Sequence, residues 1–341
     1  MIANIFILSY HNAKQIVLNM ETHNIAISVI IPTYNRASVL KKCLEALSNQ
    51  SISADTYEVI VSDDGSEDDT KQVTEDAIKN KKCFINYLWQ TNKGANAARN
   101  NAIHSSMGNL LLFINDDTIA IPNMLEQHLQ SHLKYPEENI AVLGRMTVSP
   151  EVPYSIFAKL HLDANYGLWK GMVELDWLAF YTCNVSVKKS FLLKYGLFEE
   201  SIRYHEDVEL SERLSHFGLK IIYNPEALGY HDHYLQEHEY LNVAIKEGVA
   251  LAKWYKKSPH LKKELALIGL QATSPLKKKI KYFIGDLLIN RLTRPLMVIF
   301  ARLFAKTNEN LSLSLYRKIY QSIKREGVRQ ELKKYNNIPN T

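Results

Sequence analysis

Apolar residues are bunched into short runs over the first third of the chain. Residues 27–31 read Ile-Ser-Val-Ile-Ile, 59–62 Val-Ile-Val-Ser, 85–89 Ile-Asn-Tyr-Leu-Trp and 110–114 Leu-Leu-Leu-Phe-Ile. Runs of this kind, lacking a continuous polar face, predict buried strands. Between them the spacing changes. Leu40, Leu44 and Leu47 recur at helical intervals and predict a helix over 38–49, and another helix is expected over 95–106. Residues 66–70 read as a loop and helix start, where Asp68 and Asp69 suit the positive end of a helix. Further strands are expected over 140–144 and 179–187, then a helix over 206–217 closed by Gly218. A short strand over 220–223 should run into Asn224-Pro225. Strands alternating with helices predict an α/β fold around a mixed, mainly parallel sheet.

From about residue 234 the pattern turns helical. Over 276–306, Leu276, Ile280, Phe283 and Leu287, then Phe300, Leu303 and Phe304, fall on apolar faces interrupted by Pro295. Lys277, Lys278, Lys279, Lys281, Arg291, Arg294 and Arg302 lie among them. Such a composition suits a helix lying in a membrane interface; it equally suits a helical appendage packed on the body with its charges solvated.

Charge sharpens this division. Residues 236–341 hold 21 Lys/Arg against 8 Asp/Glu, or +13, and residues 1–235 hold 20 against 28, or −8. A basic tail on an acidic body points to a polyanionic surface as partner. The tail's many Leu, Ile and Phe residues favour an anionic membrane face over nucleic acid. No uncharged apolar run reaches the length of about 18 residues that a transmembrane helix needs. The opening Ile2–Leu8 stretch is apolar but short, with no Lys or Arg before it, and makes a poor signal peptide. Three cysteines, none in a CxxC pair, argue against a disulfide framework and for a reducing cytoplasm.

The candidate chemistry sits at strand ends. Asp63-Asp64-Gly65-Ser66 follows the second run, and Asn115-Asp116-Asp117 follows the fourth. Open α/β sheets bind ligands at the carboxyl ends of their strands. Two acidic clusters behind a third strand suggest one site for a nucleotide and a metal. Each feature also has a plainer reading: an Asx turn for Asp63, an ordinary turn for Pro32-Thr33-Tyr34-Asn35-Arg36, and helix-terminal charge for Glu206-Asp207.

Taken in order, Ile27-Ser-Val-Ile-Ile-Pro-Thr-Tyr-Asn-Arg36, Val61-Ser-Asp-Asp-Gly-Ser66, Asn92-Lys-Gly-Ala-Asn-Ala-Ala-Arg-Asn100, Asn115-Asp-Asp117 and His205-Glu-Asp-Val-Glu-Leu210 resemble family 2 glycosyltransferases. The resemblance covers residues 27–233. It implies a GT-A fold, with residues 27–120 binding a nucleotide-sugar and 121–235 holding the acceptor. Residues 1–26 would be an N-terminal extension and 236–341 a basic, amphipathic helical region.

The resemblance also implies roles. Backbone at Pro32 and the Tyr34 ring would meet the base, and Arg36 a phosphate. Asp64 would accept from uracil or ribose. Gly94 would allow close backbone approach, and Arg99 would neutralise phosphate or pair with Asp64. Asp116 would lie near the ribose and Asp117 would ligate Mn²⁺ or Mg²⁺. The family often has Asp at the first position of this motif; here it is Asn115. Asp207 would be the general base, with Glu206 helping to hold the acceptor. His231, rather than His233, would complete the metal site. Trp169, Trp177 and Tyr181 are of a type that stacks on a sugar ring's apolar face, but they are expected in the core and are assigned no role.

The expected activity is inverting, metal-dependent transfer from a nucleotide-diphospho-sugar, UDP-linked by resemblance, to a saccharide or lipid-linked saccharide in surface polysaccharide or glycolipid synthesis. The expected location is cytoplasmic and peripheral to the inner membrane face. Retaining or nucleotidyl transfer on the same fold, and a non-catalytic nucleotide- or glycan-binding protein, are the alternatives.

Overall fold

The computed structural model describes residues 25–163, 166–267, 269–270 and 287–336. The four apolar runs are β1 (Ile27–Thr33), β2 (Tyr57–Asp63), β3 (Phe84–Trp89) and β4 (Leu110–Ile114). They are joined by α1 (Ala37–Leu47), α2 (Thr70–Lys79) and α3 (Ala95–Ser105). The strands pair in parallel in the order β3-β2-β1-β4. Every residue of β2 and β4 is buried. Ile30, Ile60, Leu111 and Phe113 face one core with Ala102 and Ile103 of α3. Ile27, Val29, Ile31, Val59, Val61, Leu112 and Ile114 face the other, against Leu40, Cys43, Leu44 and Leu47 of α1. Two covered faces are the reason these strands carry no polar alternation.

The chain builds outward from β1 to β3 and then returns to the other side of β1 for β4. That reversal opens a crevice outside the carboxyl ends of β1 and β4. Both acidic clusters sit at this edge.

The rest of the sheet comes from β5 (Thr118–Ala120), β6 (Ile140–Val148), β7 (Glu174–Leu175), β8 (Asn184–Lys188) and β9 (Lys220–His231). The full order is β3-β2-β1-β4-β8-β6-β9-β5, with β7 on β9. β8 runs antiparallel to both β4 and β6, whereas β6 and β9 are parallel. The helices here are α4 (Met124–Lys134), α5 (Lys189–Tyr195) and α6 (Glu206–Ser215).

Two expectations need correction. The strand over 179–187 is confined to β8. Trp177–Ala179 is instead a 3₁₀ turn, started by the Asp176 side chain accepting from Leu178 N–H at 2.9 Å, and Thr182-Cys183 form a further turn. The strand over 220–223 does not stop at Asn224-Pro225. It continues to His231, because the ladder with β6 shifts register between Gly144 and Arg145 and the bulge absorbs Pro225. Proline lacks a donor and is tolerated at such a bulge.

The C-terminal region forms α7 (Glu237–Lys257), α8 (Lys262–Leu267), α9 (Arg294–Ala305) and α10 (Glu309–Asn336). α7 opens with a capping box between Gln236 and Glu239. α7 and α10 cross at two glycines. A Cβ at Gly248 would lie 2.0 Å from the Lys324 carbonyl oxygen, and one at Gly327 2.5 Å from that of Ile245. The helices pack on the α/β body. Phe157 sits edge-on to Tyr316 at 4.8 Å, Lys159 pairs with Glu309 at 2.6 Å, and Lys257 with Glu199 at 2.7 Å. Pro295 does not interrupt a helix; it lies in the first turn of α9, where a missing N–H costs nothing. Residues 1–24 and 271–286, including Leu276, Ile280, Phe283 and Lys277–Lys281, lie outside the described residues. Among the described residues, no helix is long and apolar enough to cross a membrane. All three cysteines are free thiols.

Candidate active site

The turns after β1 and β2 are stitched together before any ligand is considered. Asn35, at φ +52°, donates its N–H to Ser66 Oγ at 2.8 Å and accepts from Glu67 N–H at 2.8 Å. Asp68 accepts from Ala37 N–H at the start of α1. Asp63 makes the Asx turn, accepting from Ser66 N–H at 2.7 Å and from Tyr87 Oη at 2.6 Å. These bonds leave the Tyr34 ring about half exposed beside Pro32.

Asp64 is buried and holds the glycine loop. Its Oδ1 accepts from Gln90 Nε2 and Lys93 N–H, and its Oδ2 from Gly94 N–H, all at 2.8 Å. A carboxylate has about four acceptor sites, so capacity remains for a ligand. Gly94 adopts φ +102°, which L side chains rarely adopt.

Arg99 does not pair with Asp64. It is buried, and its Nη1 lies 3.2 Å from Glu206 Oε1 and 3.1 Å from Asn96 Oδ1, with the guanidinium 5.4 Å from the centre of the Phe198 ring. The neighbouring asparagines explain why. Asn96 donates to the carbonyls of Glu199 and Ile202, and Asn100 exchanges bonds with Phe198 and donates to Glu200. α3 thereby clamps the segment leading into α6 and brings Glu206 over Arg99.

At the end of β4, Arg36 reaches two carboxylates. Its Nη1 is 2.9 Å from Asp116 and its Nη2 2.9 Å from Asp117. Thr33 donates to Asp116 at 2.9 Å, tying the ends of β1 and β4. Burial pushes the Asp116 carboxyl up to about 6, against the pull of Arg36 and with a push from Asp117. Beyond Asp117 the chain enters β5, which pairs with the end of β9 in the register Thr118↔His231. That register sets His231 Nε2 3.5 Å from Asp117 Oδ2. Burial holds the His231 imidazole neutral. His233 turns away, to 3.3 Å from Glu239.

Among the described residues, no group of three or more His, Cys, Asp or Glu is arranged to hold a metal alone. Asp117 Oδ1 and His231 Nδ1 are nonetheless buried without hydrogen-bond partners. One carboxylate and one neutral imidazole match a divalent ion that takes its remaining ligands from phosphate and water.

Glu206 and Asp207 open α6, following His205 in the left-handed conformation at φ +61°. Asp207 is half-buried and accepts from Val208 N–H at 2.8 Å. Burial, and then the neighbouring Glu206, hold its carboxyl above the usual carboxylate range. His205 is itself fixed from the C-terminal helices. Lys324 Nζ of α10 lies 3.3 Å from His205 Nε2 and 2.8 Å from Glu247 of α7. Burial, together with Lys324, pushes the imidazole down to about 4.

Some of these groups line a cavity of about 1040 Å³, whereas Arg36, Asp64, Asp116, Asp117 and His231 lie outside its lining. Asn115 opens it toward the end of β4, and Arg99, Glu206 and Asp207 line it from the body. Trp169 and Tyr181 form an aromatic wall, and Glu247, Arg317 and Lys324 line it from the C-terminal helices.

The profile of the family described as "Glycosyl transferase family 2" matches residues 28–180. Over those residues the chain is similar to glycosyl transferase family 2. Validoxylamine A glucosyltransferase of Streptomyces hygroscopicus subsp. jinggangensis is 27% identical over 64% of this chain and 58% of its own length. The uncharacterized glycosyltransferase YfnE of Bacillus subtilis is 27% identical over 62% of this chain and 64% of its own. The chain thus spans under two thirds of the length of these curated relatives. Two solved structures share the fold. Mannosyltransferase PcManGT from Pyrobaculum calidifontis, in complex with GDP-Man and Mn²⁺, aligns over 93% of this chain and 89% of its own at a TM-score of 0.61 and 17% identity. S. aureus TarS 1–349, in complex with UDP, aligns over 90% of this chain and 92% of its own at 0.51 and 19%.

Some residues of this site carried little or no sequence signal. Trp169 and Tyr181 pack against the core, as expected, and also line the cavity; Trp177 packs against the C-terminal helices. Arg203, exposed, has its Nε 3.8 Å from where a Cβ on Gly94 would stand. Lys324 and Glu247 lie in a region read from its sequence as a tail. Only the packing of α7 and α10 brings them to His205.

Proposed function

We propose that the protein is an inverting, divalent-metal-dependent glycosyltransferase acting on a nucleotide-diphospho-sugar. The observation that carries this reading is the shared cavity: one space meets both the carboxyl end of β4 and Asp207 at the start of α6. The nucleotide lies across the ends of β1, β2 and β4, with its base between Tyr34 and the Asp64-held loop. Gly94 and Arg36 face the diphosphate.

Asp207 takes the proton of an acceptor hydroxyl that is held against Trp169 and Tyr181. That oxygen bonds to the anomeric carbon from the face opposite the nucleotide. The bond from the anomeric carbon to the diphosphate oxygen breaks, and its electron pair leaves with the nucleoside diphosphate. Arg99 engages Glu206 in an ion pair at 3.2 Å, and the proton goes to Asp207, whose raised pKa suits a base working near neutrality. A Mn²⁺ or Mg²⁺ ion on Asp117 and His231 would offset charge on the departing diphosphate. For Arg36 to serve the phosphates it must leave Asp116 and Asp117, an exchange that the ion's own charge would favour.

The test is nucleoside diphosphate release from a panel of UDP-, GDP- and dTDP-sugars, with and without Mn²⁺, using lipid extract as acceptor source. We expect metal-dependent release from one donor and none from Asp117→Ala. An absence of release and of nucleotide binding across the panel would refute the reading.

We further propose docking on the cytoplasmic face of an anionic membrane. The supporting feature is not the cationic stripe read from the sequence. Arg291 and Arg294 pair with Glu326, and Arg302 with Glu237. It is the outward face around α9, where Leu292, Leu296, Ile299, Phe300 and Leu303 are about 50% to 90% exposed at helical spacing. Sedimentation with anionic liposomes should be lost in Leu296→Asp/Phe300→Asp; retention in that variant would sink the idea.

A further inference from the structure

Arg203 and Tyr204 line two depressions. One is the active-site cavity. The other is a groove of about 280 Å³ between residues 201–204 and one face of α7. Its bed is apolar, made by Ile202, Ile245, Val249 and Ala250. The remaining contributors include three cations, Arg203, Lys246 and Lys253, and no carboxylate. Lys246, Val249, Ala250 and Lys253 follow i, i+3, i+4, i+7 spacing and so share a helix face.

These cations differ from their neighbours on the same pair of helices. Lys257, one turn further along α7, is neutralised by Glu199 at 2.7 Å. Lys324, on the facing helix, is neutralised by Glu247 at 2.8 Å. Arg203, Lys246 and Lys253 have no carboxylate partner among the described residues; Lys246 only leans on the Tyr204 ring, at 5.9 Å. Three uncompensated positive charges around an apolar bed are matched by a ligand that brings both a hydrocarbon segment and an anion.

We propose that this groove binds the phosphate-bearing, apolar end of an amphiphilic acceptor: a sugar joined through phosphate to a long-chain alcohol. The inference rests on the transferase reading and extends it to the acceptor. Hydrocarbon next to the phosphate lies on Ile202, Ile245, Val249 and Ala250. Lys246, Lys253 and Arg203 bind the phosphate oxygens by charge-assisted hydrogen bonds. Because Arg203 and Tyr204 border both depressions, the sugar beyond the phosphate enters the cavity that holds Asp207. A neutral glycan would leave all three cations unmatched.

The test is isothermal titration of the full-length protein with dodecyl phosphate below its critical micelle concentration. Dodecyl maltoside supplies the same chain without phosphate, and inorganic phosphate the anion without the chain. We expect saturable, one-to-one binding of dodecyl phosphate, with both controls at least about tenfold weaker. Lys246→Glu/Lys253→Glu should weaken dodecyl phosphate by about tenfold or more, the order expected for lost charged hydrogen bonds. The milder Lys246→Gln/Lys253→Gln and the bed variant Val249→Asp should act in the same direction, and melting curves would report that each is folded. Equal affinity for dodecyl phosphate and dodecyl maltoside, or unchanged affinity in all folded variants, would overturn the proposal. Donor hydrolysis to water by the wild type, which needs no acceptor, is measured separately. Its presence alongside failed dodecyl phosphate binding would overturn the groove and leave the transferase reading standing. Absence of nucleotide-sugar binding and of nucleoside diphosphate release, alongside charge-dependent dodecyl phosphate binding, would overturn the transferase reading and leave the groove.

Discussion

Asp207→Asn separates a catalytic base from a helix-terminal charge, because the two roles predict opposite changes in stability. The substitution keeps the shape and removes the charge. As general base, the carboxylate contributes about 10²–10⁴-fold, or roughly 3–5 kcal/mol of transition-state stabilisation. As a helix-terminal charge it would contribute about 0.3–1 kcal/mol to stability, and its loss would cost that amount. The environment decides the balance. Burial and Glu206 raise the carboxyl's pKa despite the bonds from Val208 and Thr182, so ionising Asp207 costs the folded state net free energy. Between the ordinary value of 3.8 and the raised one, the native state keeps a proton that the unfolded chain has lost. Stability therefore falls as pH rises through that window and stays lower above it. Asn cannot ionise, so the variant escapes the fall. Each factor of ten in proton affinity is about 1.4 kcal/mol, which exceeds the helix-terminal contribution. We expect Asp207→Asn to lose at least about a hundredfold in kcat. In urea titrations it should match the wild type near pH 4 and exceed it by about 1–2 kcal/mol at pH 8.5. Retention of a tenth of the activity, or lower stability than the wild type at pH 8.5, would refute the assignment.

Wild-type kcat/KM should rise with pH as Asp207 loses its proton, and a flat profile across the raised pKa would argue against it as the base. Lys324→Met leaves Glu247 without its cation and His205 without its neighbour. It should cost about 3 kcal/mol in chemical denaturation and lower kcat more than KM changes. His205→Gly, which adopts a positive φ without strain, should keep more activity than His205→Ala; the reverse order would show that the left-handed turn does not position Asp207. Gly248→Val places a side chain within 2.0 Å of the Lys324 carbonyl oxygen, so α7 and α10 must separate. A loss of about 3 kcal/mol or more and faster proteolysis after α7 are expected, and an unchanged melting temperature would contradict the close crossing. Asp117→Ala should abolish Mn²⁺ binding measured by electron paramagnetic resonance in the presence of nucleoside diphosphate, and persistence of the bound signal would remove Asp117 from the ligand set.

Local pattern alone determined the strands of the first half. The run over 110–114 became β4 with the same ends, because five apolar residues can be satisfied only between two covered faces. Its last residue delivers Asn115-Asp116-Asp117 to the sheet's carboxyl edge whatever follows. The same holds for Asp63 and Asp64 after β2, and for Glu206 and Asp207 at the start of a helix. Where a side chain's environment is long-range, the pattern was silent or misleading. Arg99 meets Glu206, 107 positions away, because Asn96 and Asn100 clamp a loop that no local signal ties to α3. His231 reaches Asp117 only because β9 runs past Pro225 and pairs with β5. The Thr182-Cys183 turn, which lines the cavity, precedes β8 within an apolar stretch that reads as one strand. The tail's cations read as a membrane-facing stripe, but packing paired several of them internally and left the apolar face of α9 outside. Secondary structure follows neighbours in sequence. The partner that a charged side chain finds depends on which elements pack together, and that is a property of the tertiary fold.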